Sequence, residues 1–375
     1  MRLVLLADVP LWTVPGIENL RHERHYATWL EALVPCYERL AGEVEVHWIT
    51  FSKEATEVLE HQALGQVFHV IPRGSLAFAM ATKFFFETRK TRKLINRINP
   101  DVIHAWGTEQ AYGIAGSRSG VKARVLTLQG CLTKCIRDTG GPFLMRLQAG
   151  YERSTVRSYR FATAESPDAA TALRALNADL EPEVVDYGVN PEFFDATWDP
   201  ADTPRVLFVG SVSEAKGIPD LLAVANRPEM GHVEFRIVGS GALFETLSGR
   251  QTANVTWLGR CQRDQIVSEL EKAWVIAIPT KADTGPTVLK EARVVGLPVI
   301  TTTGAGASSY VRGAGCGEVI EPGDQDALAL AISRICKDRS HCREVGRRGH
   351  EEHRITLDPK TTAGRFMEIY RKLAE

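Results

Sequence analysis

Residues 276–302, IAIPTKADTGPTVLKEARVVGLPVITT, place one loop and one helix between two short apolar runs. Few folds accept that order. Parallel strands need a crossover of a dozen or more residues, usually a helix, so the stretch reads as strand, loop, helix, strand. Ile276 to Pro279 is the end of a buried parallel strand, and Lys281-Ala-Asp-Thr-Gly-Pro is the loop. Pro286 suits the first helical turn, where its missing N–H costs nothing. Gly296 suits the helix end, and Leu297-Pro-Val-Ile-Thr resumes the sheet. The helix N-terminus then faces out of the carboxyl edge of the sheet. Its free N–H groups, those of Thr287 and Val288, form an anion site. Asp283 in the loop and Glu291 in the helix bracket that site with seven residues between them. A phosphate flanked by hydroxyl-rich groups, as in a nucleotide sugar, suits such an arrangement.

A chain of 375 residues exceeds one ordinary core and implies two domains. Its net charge of −1 gives a polyanion nothing to steer towards, which argues against general nucleic-acid binding. The apolar run after Met1 is short and ends in Asp8 and Pro10, so it is a first strand and not a secretory signal. No run approaches the roughly 20 apolar residues of a spanning helix. Seven scattered cysteines, with Cys131 and Cys135 the one close pair, read as thiols of a reducing compartment. The expected location is cytoplasmic.

Strands and helices alternate along the whole length, which predicts parallel sheets. In the first half, strands are expected at 2–7, 44–51, 67–71, 101–107, 124–130 and from 162, about six in all, with polar tips pointing one way. Helices are expected at 21–41, 77–99 and 151–161. Gly16, Arg21, His22 and His25 follow the first strand and are candidates for gripping a hydroxylated or charged acceptor. Trp106 and Gln129 sit at two later strand tips and join that list. The 77–99 stretch, AFAMATKFFFETRKTRKLINRIN, carries six basic residues and one acidic residue between Lys83 and Arg97, just after Phe84-Phe85-Phe86. It reads either as a helix with a core-packing Phe face and a solvated basic back, or as a peripheral contact with an anionic membrane face.

Val184 to Arg205 holds five turn formers and reads as the hinge. After it, VLFVGSVSEAKG places Gly210 and Ser211 at a strand tip with Lys216 six residues past the glycine. Glycine lets backbone approach a phosphate, and the ammonium can neutralise it. Gly239-Ser-Gly241 and Gly259-Arg260 end two further strands. Neither a dinucleotide fingerprint nor a Walker A loop is present.

The segments VLFVGSVSEAKGI, FRIVGSGAL, NVTWLGRCQRDQI and ADTGPTVLKEARVVGLPVI together resemble the donor domain of retaining glycosyltransferases of family 4. VVDYGVNPEFF resembles the family's hinge, and DVIHAWG and VLTLQG its first-domain tips, so the likeness spans about residues 100–335. It implies the α/β GT-B fold, two Rossmann-like parallel-sheet domains facing a central cleft. They are expected at 1–187 for the acceptor and 188–355 for the donor, with a last helix at 356–375 packing back on the first. It implies that Glu291 binds the donor ribose, Asp283 a hydroxyl of the transferred sugar, and Lys216 the diphosphate. Gly285, Pro286, Thr287 and Val288 would cradle sugar and phosphate, Gly210, Ser211 and Gly239 would line the donor, and Arg260 would lie beside the base. Gln129 would position the acceptor. No metal and no cofactor are expected. Four departures stand out: Ser211 replaces a frequent Arg, Asp283 a frequent Glu, Gln129 a frequent His, and Pro15-Gly16 is all that remains of a Gly-Gly loop. The implied activity is retaining transfer of a sugar to a hydroxyl acceptor, a saccharide or lipid-linked saccharide of surface-polysaccharide or glycolipid assembly. A sugar-nucleotide epimerase and a non-catalytic nucleotide-sugar-binding subunit remain as alternatives.

Overall fold

The structure is a computed structural model that describes residues 1–20, 28–40, 42–108, 110–140, 143–249 and 253–375, excepting the side chains of Leu40, Cys135, Asp138, Thr139 and Leu144. The chain divides into two compact units, Met1–Gly188 with Pro359–Glu375, and Val189–Asp358.

The first unit is built on eight strands: β1 (Arg2–Leu6), β2 (Glu45–Ser52), β3 (Leu59–Ala63), β4 (Gln66–Pro72), β5 (Val102–Trp106), β6 (Arg124–Leu128), β7 (Phe161–Ala164) and β8 (Glu183–Val184). Their order is β3-β4-β2-β1-β5-β6-β7-β8, and every neighbouring pair is parallel except β3 and β4. Alternate residues of β1 enter opposite cores, Val4 and Leu6 on one face and Leu3 and Leu5 on the other. A sheet covered on both faces explains why its strands read as unbroken apolar runs. The extra antiparallel strand comes from a tight hairpin in which Leu64 and Gly65 both take positive φ, 52° and 65°. Such a turn matches the twist of the strands it joins.

Three helix expectations change, the one at 151–161 being met by Phe143–Val156, with Phe161 already in β7. The described part of the first helix is Thr28–Leu33, followed by a 3-10 segment over Val34–Leu40. Pro35 has no N–H to give to an α-helical ladder, which accounts for the tightening. The 77–99 stretch is two helices, Leu76–Ala81 and Phe85–Ile98. The first stops in a Schellman pattern, with the Phe84 N–H on Ala79 O at 2.6 Å and the Lys83 N–H on Met80 O at 2.9 Å. Lys83 takes the left-handed position usually held by glycine, and Phe84 follows it at φ 55°. That reversal turns Phe84 into the core beside Ala79. The last helix, Pro359–Ala374, lies in the first unit and buries Phe366 and Tyr370.

The second unit has six strands, β9 (Arg205–Val209), β10 (Glu234–Val238), β11 (Val255–Gly259), β12 (Val275–Ile278), β13 (Val299–Thr302) and β14 (Gly317–Ile320). All are parallel, in the order β11-β10-β9-β12-β13-β14. The helix between β12 and β13 is Thr287–Val295, with Pro286 as its N-cap and Gly296, at φ 102°, as its C-cap. The fully buried guanidinium of Arg293 anchors it, donating to the carbonyls of Leu297 at 2.5 Å, Arg348 at 2.6 Å and Gly346 at 3.1 Å. That side chain thereby ties the last turn of this helix to the end of the Arg339–Arg347 helix.

Candidate functional site

The strand order β11-β10-β9-β12 sets four carboxyl ends side by side on one edge of the second unit. Close approach of neighbouring tips requires glycine at two places. A Cβ on Gly239, at φ 134°, would stand 1.8 Å from Gly210 O, so the tips of β9 and β10 nearly touch. A Cβ on Gly217, at φ 71°, would stand 1.9 Å from Pro279 O. That second approach delivers Lys216 to the end of β12. The Lys281 N–H bonds Ala215 O at 2.8 Å, which fastens the same two segments.

Lys216 Nζ and Asp283 Oδ2 form an ion pair, the ammonium side chain one-third exposed and the carboxylate less so. Asp283 Oδ1 also accepts from Gly285 N at 3.2 Å, an Asx turn that shapes the loop entering the helix. Its backbone is held on both sides, N–H to Gly304 O at 2.9 Å and O from the Gly306 N–H at 2.7 Å. The carboxylate is therefore fixed in position. The Gly285 amide is engaged by Asp283, so the anion site of the helix tip rests on Thr287 and Val288, the first two residues of the helix, whose N–H groups have no acceptor within it. Those two residues and Glu291 form the one half-exposed stripe of the helix, at spacings of three and four, while Leu289, Lys290 and residues 292–295 are buried. At the other end of the edge, Arg260 Nε donates to Ser240 Oγ at 2.7 Å, joining the tips of β11 and β10. Gly210 and Ser211 lie between, following β9. The structure thus brings Gly210, Ser211, Lys216, Gly239, Arg260, Asp283, Gly285, Pro286, Thr287, Val288 and Glu291 to one sheet edge.

Candidates of the first unit fare unevenly. Gln129 is half-buried just past β6. Gly16, at φ 90°, packs on the His61 imidazole, which bonds Pro15 O at 2.7 Å. Arg21, His22 and His25 lie outside the described residues. Trp106 is not at a polar tip. It is 1% exposed, stacked on His104 at 3.6 Å and packed against Trp29, Trp48 and Phe366. Its ring is core because both faces of β5 are covered. His104 beside it is fully buried, bonded to Tyr370 Oη at 2.6 Å, and burial pulls its pKa well down.

The sequence reading passed over a polar cluster on the carboxyl edge of this sheet. Arg73 donates to Gln110 Oε1, Gln110 Nε2 donates to Asp8 Oδ2 at 3.3 Å, and Tyr112 Oη to Asp8 Oδ1 at 3.5 Å. Burial, and then the Asp8 carboxylate, push the Tyr112 hydroxyl pKa up. Glu152, fully buried, accepts from Thr108 Oγ1 at 2.9 Å, Leu132 N at 3.0 Å and Thr133 N at 2.7 Å, pinning the tips of β5 and β6. Burial and that carboxylate push the Cys131 thiol up to about 12. Asp8, Arg73, Thr108 and Gln110 each follow a strand end by one to four residues, the same signal that marked the second unit. Among the described residues, no three His, Cys, Asp or Glu gather as a metal site, and no helix is long and apolar enough to cross a membrane.

Comparison with known proteins bears on the second unit and on the fold. Residues 190–352 match the family model described as Glycosyl transferases group 1. A stretch of 157 residues is 29% identical to the lipopolysaccharide core biosynthesis glycosyltransferase LpsE of Rhizobium meliloti, covering 40% of this chain and 45% of that protein. The match thus spans about half the length of that curated relative. Sucrose-phosphate synthase from Thermosynechococcus elongatus superposes with a TM-score of 0.79 at 18% identity, over 100% of this chain and 99% of that one. WaaG, a glycosyltransferase involved in lipopolysaccharide biosynthesis, gives 0.66 at 15%, over 98% and 99%. Anabaena HepE in complex with UDP gives 0.71 at 16%, over 99% and 100%. The family match covers most of the second unit, and the chain has the GT-B fold.

Proposed function

We propose that the protein is a retaining glycosyltransferase of family 4, moving a sugar from a nucleoside diphosphate sugar to a hydroxyl acceptor. One observation carries the reading: Lys216, Asp283 and the Glu291-bearing helix tip converge on the edge where the glycine-lined ends of β9, β10 and β11 also meet. A diphosphate fits between the ammonium and the helix N–H groups. Asp283, fixed by its loop, holds a hydroxyl of the transferred sugar, and Glu291, one turn into the helix, binds the ribose. Arg260 lies at the far end, beside the base.

In the reaction the bond from the anomeric carbon to the β-phosphate oxygen breaks, and the acceptor oxygen bonds to the same face of that carbon. The acceptor proton passes to the departing diphosphate oxygen. Lys216 stabilises the growing charge there. With Ser211 in place of an arginine, Lys216 and the helix tip carry most of it. The reading needs no metal; transfer abolished by EDTA and restored by a divalent cation would overturn that part.

The acceptor is a saccharide, free or lipid-linked, of the kind elongated in surface-polysaccharide or glycolipid assembly. It meets the first unit at Gln129 and the Asp8, Arg73 and Gln110 cluster. The LpsE and WaaG likenesses support this class. A thermal-shift screen against UDP, GDP, ADP and their sugars names the donor, because a ligand of the folded state raises the melting temperature by mass action. With that donor, Glu291→Ala and Lys216→Ala each lower transfer at least about hundredfold with the fold intact. Undiminished transfer in both variants refutes the site.

A further inference from the structure

Of the chain's fourteen phenylalanines, four stand largely in solvent: Phe78 at 57%, Phe85 at 51%, Phe86 at 49% and Phe143 at 73%. All four lie in the first unit on three neighbouring helices, Leu76–Ala81, Phe85–Ile98 and Phe143–Val156, as do exposed Leu76 and Leu147. The Schellman stop sorts them. Phe84 turns inward, whereas Phe85 and Phe86 open the next helix facing out. The Phe86 ring stacks on Phe78 with centroids 5.7 Å apart and meets Phe85 edge-on at 5.4 Å, so three rings make one patch. Tyr151 Oη donates to Met80 O at 3.2 Å, seating the third helix against the first. Leu147 and Phe143 precede Tyr151 by four and eight residues and continue that same helical face.

Cations accompany the rings. Lys83, Arg89, Lys90, Arg92 and Lys93 are exposed, and none has a carboxylate partner among the described residues. The one acidic residue of the stretch, Glu87, is buried and does not offset them on the surface. Five unpaired cations beside half-exposed aromatic rings complement a surface that is negative outside and apolar just beneath, which describes an anionic lipid bilayer. A second copy of the chain fits poorly, since a two-fold contact would set like charges against each other.

We propose that this face docks on an anionic lipid bilayer, with Phe78, Phe85 and Phe86 entering the interfacial layer and the five cations meeting lipid phosphates. The Leu76–Ala81 helix starts three residues after Arg73, on the carboxyl edge of the sheet. Docking there brings headgroups to the tips assigned above to a lipid-linked acceptor, a link that rests on the proposed function. The surface itself does not depend on it.

The test is flotation of the full chain with phosphatidylcholine vesicles, with and without phosphatidylglycerol, at low and high salt. Nucleoside diphosphate binding is measured on the same samples. Binding is expected on the anionic vesicles, weaker in high salt, and absent on phosphatidylcholine alone. The variant Phe78→Ser/Phe85→Ser/Phe86→Ser lowers the partition coefficient at least about hundredfold. Lys90→Glu/Lys93→Glu, which leaves the rings in place, lowers it at least about tenfold. Unchanged nucleotide binding and melting temperature show that both variants are folded. Three results overturn the proposal: no flotation of the parent, flotation indifferent to both variants, or a parent dimer in light scattering that the Phe variant converts to monomer. Loss of nucleotide binding in the parent would count against the proposed function and leave the lipid result standing.

Discussion

Replacing Asp283 by asparagine is expected to move two measurable quantities in opposite directions. The Lys216 ammonium is paired with this carboxylate. A diphosphate arriving at the helix tip must share that cation. With side chains 33% and 16% exposed, the pair lies between surface pairs and buried ones, so its loss relieves competition by about 1 kcal/mol, roughly fivefold in affinity. Asparagine keeps the size of the side chain and can still accept from the Gly285 N–H, so the loop keeps its turn. The nucleoside diphosphate, titrated calorimetrically, is expected to bind about fivefold tighter to Asp283→Asn. Transfer goes the other way. Losing a charge-assisted hydrogen bond to a sugar hydroxyl costs about 1.5–3 kcal/mol in the transition state, or roughly 10- to 150-fold in kcat/KM. Weaker diphosphate binding together with an unchanged transfer rate would refute both the shared-cation picture and the sugar-end role of Asp283.

Other consequences can be checked separately. Arg293→Met keeps most of the volume but leaves the carbonyls of Leu297, Gly346 and Arg348 without their donor, so the second unit is expected to lose about 3–5 kcal/mol in denaturant unfolding. A loss under about 1 kcal/mol would show that the anchor is dispensable. His69 is buried, and burial, then the neighbouring His47, pull its pKa down to about 4, against the raising effect of Glu60. Its folded state stays neutral while the unfolded chain protonates below about 6.5, so stability falls by about 3 kcal/mol as pH drops from 6.5 towards 4 and is flat above. His69→Gln is expected to remove that slope in urea titrations at stepped pH. An unchanged slope would assign the loss to other groups.

The second unit was legible because its signals are local. Glycine and charged residues directly after apolar runs mark strand tips, and strand order then gathers them without further instruction. What the sequence concealed is pairing at a distance: Lys216 and Asp283 are 67 residues apart, and nothing in either neighbourhood announces the ion pair. In the first unit the same rule, applied to Trp106, failed because a strand covered on both faces buries its last ring as well as its middle ones. It would have found Asp8, Arg73 and Gln110 had it been applied to every strand end. The break at Lys83 was hidden for a different reason. Its left-handed turn uses neither glycine nor proline, and only the burial of Phe84 rewards it.

The placement of the last helix also bears on how the polypeptide is made. A ribosome delivers residues 1–188 first, but that unit lacks Phe366 and Tyr370, which pack against Trp106 and His104. The Val189–Asp358 unit has all its strands before those residues emerge. During translation the early half therefore keeps an open seam beside β5 until the Pro359–Ala374 helix arrives to close it. The order of completion inverts the order of synthesis.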